Sequence, residues 1–551
     1  MKRYFKVLLV ILFLPFVSNG QTQKFKSYLP TPPMGWNSWN TFFEGISEAK
    51  IMEVADAFIS NGLKDAGYLY MNIDDGWALE RGSDGIIIPD PKKFPHGIKY
   101  VADYVHSKGL KFGIYTAPGE KTCAKFVGSF GFEQKDVETY ASWGVDYIKL
   151  DGCGAKESRE VICKKWREAL DKVTRPIVLS VHLGYADVAF FTNYANLWRT
   201  TNDVYPAWDL PLEQNVNWKP LSIATTIDLQ QGLEDAQSPG TFNDPDMLQV
   251  GNGALSFEEN KTHFSMWAML GAPLLLGNDV RTLSTSVKEI ITNKEIIAIN
   301  QDSLCYQGRK IQDSGIGKSK LDKTFGQQVF VKKLAASGEY AVALLNRSEF
   351  ETTIQVTWKD LGLEPNRVSV RDLWLHKDLG KFNNEYSSLV SPHSVVVIKV
   401  KGNQLGDLKE AYPVLKDSLV LEAEEGALFR AVKANFYKGY KGSAYVQFCA
   451  EPPTQFTRMV VNVPEGGAYK VGVHYTNVTG TTCNIHIEAA KQSVKLACPV
   501  PKDAKFTFAF TGAATWDYAF AEINLKKGLN VIKVSSKEVL SPLIDQLIIK
   551  K

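Results

Sequence analysis

The sequence predicts an α/β fold: a (β/α)8 TIM barrel of parallel strands, followed by an antiparallel β domain and a C-terminal β-sandwich. Strand-like and helix-like segments alternate from about residue 32 to residue 305, and this alternation favours a parallel sheet with helical crossovers. Acidic and polar residues recur where the strand-like segments end, at the face where such barrels carry their active sites. Beyond residue 308, short strand-like segments separated by turns replace the alternation.

The barrel is predicted over residues 25–308. Its strand candidates are Tyr68–Asp74, Leu110–Tyr115, Asp146–Asp151, Ile177–His182 and Leu197–Asp203. Its helix candidates include Ser47–Asn61, with Ser47 as the N-cap, Gly97–Lys108 and Arg159–Val173. A doubly wound open sheet is the alternative, although no Gly-rich phosphate loop follows the early strands.

Two β domains are predicted to follow the barrel. Residues 309–402 form the antiparallel β-sandwich domain, with strand candidates Val329–Lys333, Tyr340–Leu345, Thr353–Val356, Val368–Asp372 and Val395–Val400. A linker at Gly402–Asp407 leads to residues 415–551, where turn signals such as Pro464–Gly467 separate further short strands. This spacing favours a second β-sandwich.

Composition sets limits on the class of protein. The chain of 551 residues is too long for one ordinary domain, and 44% hydrophobic with 22% charged residues indicates a globular protein. The formal net charge is only +3 and no run is rich in lysine and arginine. No nucleic-acid partner is therefore expected.

The N-terminus has the pattern of an export signal. Met1-Lys2-Arg3 is basic, Val7–Val17 is apolar and Ser18-Asn19-Gly20 is small and polar. The apolar run is too short for a comfortable membrane span. We therefore expect a signal peptide at residues 1–20, cleavage, and a secreted protein without membrane attachment, in the periplasm or outside the cell. An uncleaved anchor is the alternative.

Export would permit disulfides among the seven cysteines. Cys153 comes two residues after Asp151, and Cys123 follows another strand end. A Cys123–Cys153 disulfide would fasten two active-site loops. Cys483 and Cys498 are candidates to close a late hairpin.

A candidate nucleophile lies in the segment Asp146–Cys153. Lys149 and Asp151 are two residues apart on a predicted strand, so both side chains point to one face. A nearby ammonium favours the ionised carboxylate that nucleophilic catalysis requires. A buried ion pair at a strand end is the structural alternative.

A second carboxylate ends the segment Leu197–Asp203. Arg199, Thr201 and Asp203 share one face by the same parity. Two aspartates at strand ends suit glycoside hydrolysis, in which one carboxylate attacks and the other transfers protons.

Read in order, the motifs from about Thr31 to Val400 resemble those of glycoside hydrolase family 27, which contains α-galactosidases and α-N-acetylgalactosaminidases. The motifs are Pro33–Trp39, Ile73–Trp77, Phe94–Gly97, Gly113–Tyr115, Lys121–Cys123, Lys149–Cys153, Trp198-Arg199, Asn243–Met247 and Ile299–Asp302. The barrel followed by an antiparallel domain is also the architecture of this family.

The resemblance implies a retaining exo-α-galactosidase that releases terminal galactose from α-galactoside oligosaccharides or polysaccharides, with no cofactor for catalysis. Asp151 matches the nucleophile and Asp203 the acid/base. The family also implies that Asp74 and Asp75 bind O4 and O6. Without the resemblance, Asp74-Asp75 would equally suit a helix N-cap.

Further substrate contacts follow from the same resemblance. It implies that Lys149 reaches O3 and O4, that Arg199 contacts O2 or O3, and that Asp246 holds a neighbouring side chain. The pocket walls are expected from Trp39, Tyr115 and the disulfide side of Cys123. Trp36 is expected in the barrel core, and Arg281 is expected to be structural.

His182 departs from the family pattern at a strand end that helps to recognise the C2 substituent. We expect His182 to line the pocket, and its size weakly disfavours an N-acetyl group. A β-L-arabinopyranosidase is the main enzymatic alternative, although such enzymes tend to alter the aspartate pair that is intact here. Activity on α-glucosidic linkages and a galactoside-binding protein on a decayed barrel are further alternatives.

The third unit resembles a carbohydrate-binding module of the family 6/35 type, in segments such as Leu421–Glu424, Gly442–Val446 and Leu543–Asp545. In such modules, acidic residues matching Glu422, Glu424 and Asp545 hold a structural Ca²⁺, and oxygen ligands suit calcium. Solvated surface carboxylates are the alternative. Trp516 and Tyr518 are candidates for a sugar platform or for packing residues.

Overall fold

The computed structural model describes residues 23–184, 188–209, 220–314, 324–448, 455–489, 491–502, 514–538 and 540–551. The predicted signal peptide, residues 1–20, lies outside the described residues, as does Cys449. In the described part, no helix combines the length and the apolar character that a membrane crossing requires.

Eight parallel strands form the first sheet, in the order β8-β1-β2-β3-β4-β5-β6-β7. They are β1 Met34–Asn37, β2 Tyr70–Asn72, β3 Lys111–Thr116, β4 Tyr147–Asp151, β5 Val178–His182, β6 Leu197–Arg199, β7 Phe242–Asp244 and β8 Leu274–Leu276. The segment after β7 closes the circle, because Leu248 bridges Leu276 and donates its N–H to the carbonyl of Leu275 at 2.7 Å. The predicted α/β barrel is confirmed.

Helices connect these strands and cover the outside of the sheet. They are α1 Glu48–Ser60, α2 Gly97–Ser107, α3 Glu133–Trp143, α4 Arg159–Asp171, α5 Ile223–Asp228, α6 Phe257–Leu270, α7 Thr285–Ile291 and α8 Lys294–Asn300. Ser47 begins α1 as predicted, since its hydroxyl accepts the N–H of Lys50. On α2, Ile98, Val101 and Val105 recur at helical spacing and are buried against the barrel.

The strand predicted over Leu197–Asp203 is shorter in the structure and ends at Arg199. Beyond it, side chains replace the regular ladder: Thr201 Oγ1 donates to the carbonyl of Pro245 at 3.1 Å, and the N–H of Val204 donates to Asp246 Oδ2 at 2.8 Å. Asp203 therefore lies in a loop, and strand parity does not place its side chain.

The second unit consists of antiparallel sheets packed on the barrel. Its strands are β9 Arg309–Ser314, β10 Gln327–Lys333, β11 Glu339–Asn346, β12 Thr352–Thr357, β13 Val368–Asp372, β14 Lys377–Phe382, β15 Glu385–Val390 and β16 Val395–Lys401. Six form one sheet, and β12 pairs with β15 in another. One hydrophobic cluster runs from the barrel into this unit and includes Phe330, Leu345 and Val397, so the two share a core.

The third unit is a β-sandwich with its own hydrophobic cluster. Its strands are β17 Ser418–Glu422, β18 Ala427–Phe429, β19 Ala431–Ala434, β20 Tyr445–Phe448, β21 Gln455–Val463, β22 Gly467–Thr476, β23 Cys483–Ala489, β24 Gln492–Cys498, β25 Asp517–Leu525, β26 Gly528–Ser536 and β27 Leu543–Lys550. They form sheets of six and five strands, as expected for a sandwich.

The cysteines follow two patterns. Cys123 and Cys153 are joined by a disulfide. Cys483 and Cys498 face each other in register on β23 and β24, but both are free thiols, so the bridge suggested for this hairpin is absent from the structure.

Candidate active site

The carboxylate of Asp151 ends β4 and contacts side chains from the two neighbouring strands. The hydroxyl of Tyr115, on β3, donates to Asp151 Oδ2 at 3.1 Å. His182 ends β5, directly opposite Asp151 in the strand register, and its Nδ1 lies 3.1 Å from Asp151 Oδ1. Parallel strand ends thus bring these three side chains together at the expected face of the barrel.

Charged neighbours decide the ionisation of Asp151. Burial raises the pKa of its carboxyl, whereas the hydrogen bond and charge of His182 and the charges of Lys149 and Arg199 lower it. The lowering contributions prevail, so the pKa lies well below the usual range of an aspartate. Asp151 is therefore ionised over the whole neutral and mildly acidic range, as a nucleophile must be.

Lys149 pairs with the buried carboxylate of Asp74. Its Nζ lies 2.7 Å from Asp74 Oδ2 and 5.3 Å from the centroid of the Tyr115 ring. Asn37 Nδ2 donates to the same Asp74 oxygen at 2.8 Å. Burial lowers the pKa of Lys149, but the charges of Asp74 and Asp151 raise it above its usual value. The ammonium therefore stays charged inside the pocket.

Asp75 is held by backbone donors on both oxygens. The N–H of Gly76 donates to Oδ1 at 2.8 Å, and the N–H of Ala124, next to the disulfide, donates to Oδ2 at 2.9 Å. Burial raises the pKa of Asp75 against these hydrogen bonds. The helix N-cap alternative for Asp74-Asp75 is wrong, because a hairpin, Ala78–Arg81 with Ile87–Pro89, follows instead.

Arg199 connects the candidate acid/base to the barrel wall. Its guanidinium lies 3.1 Å from Asp203 Oδ1 and 3.0 Å from Asp246 Oδ1, and it donates to the carbonyl of Thr201 at 3.1 Å. The side chain of Asp203 is 50% exposed, whereas that of Asp246 is 6% exposed. The open position suits a group that exchanges protons with a leaving group and with water.

Asp246 pairs with Arg199 from a tightly fixed backbone. Its φ is +89°, a left-handed conformation, and its carbonyl accepts the indole N–H of Trp267 at 2.8 Å. Its N–H donates to Asp244 Oδ1 at 2.9 Å. Burial raises the pKa of Asp246 to about 6, although the charge of Arg199 lowers it. The Asp244-Pro245-Asp246 turn thus fixes Asp246, which pairs with Arg199.

The remaining predicted residues surround this set. Trp39 is partly buried and its ring meets exposed Phe43 edge-on, with centroids 5.6 Å apart. Cys123 Sγ lies 3.6 Å from Asp151 Oδ2, so the disulfide borders the candidate nucleophile. Trp36 is fully buried and Arg281 pairs with Asp279 and Glu53 on the surface, in agreement with the structural roles expected for both.

The sequence reasoning missed the roles of two residues at the end of β1. Asn37 donates to Asp74, and Ser38 Oγ accepts the N–H of Asp74 at 2.9 Å. Both lie inside the motif Pro33–Trp39, and their position at a strand end next to β2 was the available signal. They fix Asp74, one of the two candidate sugar-binding carboxylates, in place.

Comparison with known proteins agrees with this geometry. Residues 31–302 match the family model described as alpha galactosidase A, and residues 324–400 match the alpha galactosidase C-terminal beta sandwich domain. A probable α-galactosidase of Dictyostelium discoideum is 41% identical over 374 residues, which are 67% of this chain and 92% of the relative. The chain belongs to the α-galactosidase family.

Solved structures of this α-galactosidase family superpose on the same region. α-Galactosidase I of Mortierella vinacea has a TM-score of 0.63 and 35% identity, and covers 69% of this chain and 98% of its own. The Saccharomyces cerevisiae α-galactosidase with raffinose has a TM-score of 0.63 and 28% identity, and covers 68% and 99%. The resemblance to glycoside hydrolase family 27 is thus confirmed, and the matched family segments end at residue 400.

Proposed function

We propose that this glycoside hydrolase is a retaining exo-α-galactosidase that releases terminal galactose from oligosaccharides or polysaccharides. The observation that carries the proposal is the contrast between two carboxylates near Arg199: the side chain of Asp151 is 18% exposed and ionised, and that of Asp203 is 50% exposed. One is prepared for attack and the other for proton transfer.

The reaction follows from this division. Asp151 attacks the anomeric carbon while Asp203 protonates the departing glycosidic oxygen, and a glycosyl-aspartate forms. Asp203 then removes a proton from water, which attacks the same carbon and releases galactose with retained configuration. The enzyme's own side chains complete both steps, and the proposal requires no cofactor.

Asp74 and Asp75 would select galactose. Both are buried carboxylates at the end of β2, and hydrogen bonds to charged groups are worth roughly 1.5–3 kcal/mol each. Their pairing with the axial O4 and with O6 favours galactose over glucose and over arabinopyranose, which lacks C6. His182, beside Asp151, would then face the C2 side of the sugar.

The decisive experiment compares kcat/KM on p-nitrophenyl α-galactoside, β-L-arabinopyranoside, α-N-acetylgalactosaminide and α-glucoside. We expect the α-galactoside to dominate. Preference for the arabinopyranoside would contradict the proposed contact of the Asp74-Asp75 pair with O6 while retaining the mechanism. Binding of galactose without turnover of any substrate would favour a binding protein.

We also propose that Glu422 and Glu424 hold a structural Ca²⁺ in the third unit. In the described part of the chain, Glu422 Oε2 and Glu424 Oε2 are buried without a hydrogen-bond partner. Gly442 leaves room beside them, since an added Cβ would lie 2.8 Å from Glu422 Oε2. Asp545 fits less directly, because its oxygens accept the N–H of Lys441 and pair with His474. Asp545 would therefore act mainly through its charge.

Calcium should raise the melting temperature of the third unit, because a ligand that binds only the folded state stabilises it by about 2.7 kcal/mol at 100 times its Kd. Scanning calorimetry with Ca²⁺ and with EDTA checks this. The double variant Glu422→Gln/Glu424→Gln should abolish the difference, whereas the control Glu522→Gln, at an exposed position, should retain it. An identical melting curve with and without Ca²⁺ would contradict the site.

The family 6/35 likeness leads to a related proposal, that the third unit binds sugar through exposed aromatic rings. Tyr518 is 50% exposed and stacks on His474 with centroids 4.5 Å apart, and Trp516 lies 5.4 Å from the same ring. Affinity electrophoresis in galactomannan should show retardation that Tyr518→Ala reduces. Equal mobility of the protein with and without polysaccharide would contradict this role.

Export is proposed on the N-terminal pattern and on the disulfide between Cys123 and Cys153, since disulfides persist in oxidising compartments. Mass spectrometry of the protein from its native host should give an N-terminus near Gln21. An intact Met1 would contradict cleavage.

A further inference from the structure

The backbone of Asp203 is hydrogen-bonded to the segment that lies just before α5. The N–H of Leu221 donates to the carbonyl of Asp203 at 2.9 Å, and the N–H of Tyr205 donates to the carbonyl of Leu221 at 2.8 Å. Val204 and Leu221 form an isolated parallel bridge. Any displacement of Leu221 would therefore move the loop that carries the candidate acid/base.

The side chain of Leu221 does not pack into the barrel core. Leu221, Leu229 and Phe429 form a separate buried cluster, with Phe456 packed against it. Phe429 and Phe456 belong to β18 and β21 of the third unit, and their ring centroids lie 5.3 Å apart. The third unit thus supplies the aromatic surface against which the acid/base loop rests.

A second set of contacts fixes the third unit at the same place. Arg458, on β21, donates to the carbonyls of Leu229 and Gln231, just after α5 ends, with 2.8 Å to Gln231. Burial lowers the pKa of Arg458 to about 10. A cation at the carboxyl end of a helix is favourably placed.

A close backbone approach completes the joint between the barrel and the third unit. Gly232 has φ +82°, and a Cβ added there would lie 2.7 Å from Val531 and 2.8 Å from Val460, both in the third unit. The N–H of Gly232 donates to the hydroxyl of Tyr412 at 3.0 Å, and that hydroxyl donates to Glu234. Only glycine fits this position, so the two surfaces have a defined relative position.

A cavity of about 390 Å³ remains beside this joint, lined by Thr200, Thr201 and Asn202 on one side and by third-unit residues on the other. The third unit therefore leaves open space along the start of the loop. Its support of the acid/base reaches the loop chiefly through Leu221.

We propose that the third unit positions the acid/base of this enzyme, because Phe429 belongs to the buried cluster that encloses Leu221, and Leu221 holds the backbone of Asp203. The inference rests on the proposed role of Asp203. Barrel contacts hold the inner side of the loop, where Asp246 accepts the N–H of Val204, and the third unit holds the outer side. Catalytic groups need such support, because a displacement of 1 Å can cost about 10²-fold in rate.

The test compares two phenylalanines of the third unit that are each 8% exposed. Phe429→Ala removes the contact with Leu221, whereas the matched control Phe448→Ala removes a side chain from the unit's own core. For each variant, kcat/KM is measured on 2,4-dinitrophenyl and phenyl α-galactosides. The dinitrophenolate leaves without protonation, whereas phenolate departure depends on Asp203.

Phe429→Ala should lower kcat/KM on the phenyl glycoside roughly tenfold while leaving the dinitrophenyl glycoside nearly unchanged. Phe448→Ala should retain the wild-type ratio of the two substrates. Leu221→Ala should shift the ratio like Phe429→Ala, and the double variant should add little, since coupled neighbours are not additive. Phe429→Leu provides the measurement if Phe429→Ala does not fold.

An unchanged ratio in the Phe429 and Leu221 variants, an equal loss on both substrates, or the same shift in Phe448→Ala would overturn the inference. Asp203→Ala separates this failure from failure of the proposed function. If Asp203→Ala itself leaves the ratio unchanged, the acid/base assignment is wrong. If Asp203→Ala shifts the ratio and Phe429→Ala does not, only the positioning role is wrong.

Discussion

The two candidate catalytic aspartates stand in opposite surroundings. Asp151 ends a regular strand and is enclosed by Tyr115, His182 and Lys149, so the barrel alone fixes it. Asp203 lies on a loop, is half exposed, and depends on contacts from several parts of the chain. The comparison shows how one residue type acquires two roles: burial among cations produces a permanent anion, whereas an open loop position permits proton exchange.

The largest effect on activity should come from substitution of Asp151, the enclosed aspartate. Asp151→Asn should lower kcat by at least about 10⁴-fold, because no other group at the site replaces a nucleophile, and losses of this size accompany removal of one. Steady-state rates on p-nitrophenyl α-galactoside measure the effect. The circular dichroism spectrum should remain that of the wild type, and appreciable hydrolysis by the folded variant would contradict the assignment.

Substitution of Asp203, the aspartate on the loop, should lower activity on some substrates much more than on others. Asp203→Ala should lower kcat/KM on substrates with poor leaving groups by roughly 10²–10⁴-fold, the usual range of acid/base catalysis, and affect activated aryl galactosides much less. Added azide should restore turnover and yield α-galactosyl azide, which nuclear magnetic resonance identifies. An equal loss of kcat/KM on all substrates, without an azide product, would contradict the distinct roles of Asp151 and Asp203.

A smaller effect should appear in the pH profile. His182→Gln removes a charge that lowers the pKa of Asp151, so this pKa should rise in the variant because burial raises it. The charges of Lys149 and Arg199 remain and still lower it. Because Asp151 must be ionised, the acid limb of kcat/KM should move to higher pH. At a fixed pH on that limb, activity should fall about tenfold for every pH unit by which the limb moves.

The control for this prediction is His376→Gln, which breaks a comparable histidine–carboxylate contact between His376 of the second unit and Glu295 of α8. Its acid limb should coincide with that of the wild type. An unmoved limb in His182→Gln would mean that Lys149 and Arg199 suffice to keep Asp151 ionised.

The sequence predicted the barrel well because its information is local. Alternating strand and helix patterns, the Ser47 cap and the strand-end residues Lys149 and Asp151 all depend on neighbours in the chain. The strand predicted to Asp203 was too long because the loop after Arg199 is shaped by Asp246 and Leu221, which are distant in sequence. Parity therefore gave no information about the direction of Asp203.

Tertiary contacts set the remaining limits of prediction. The sequence around Asn37 offers only its position at a strand end as a signal that its amide supports Asp74, because the contact crosses from the end of β1 to the segment after β2. The cluster of Leu221 with Phe429 joins residues of two different units that lie more than 200 positions apart in the sequence. Such contacts emerge only when the chain is folded, and they decide which residues act together.

The core that the barrel shares with the second unit limits where the chain can be divided into independent domains. Phe330, Leu345 and Val397 lie in the same apolar cluster as the barrel residues, so a cut at residue 308 would expose barrel residues to water. A truncated or fused protein should therefore keep the second unit together with the barrel. The third unit has a hydrophobic core of its own and contacts the barrel through residues such as Phe429, which is the organisation of a separate domain.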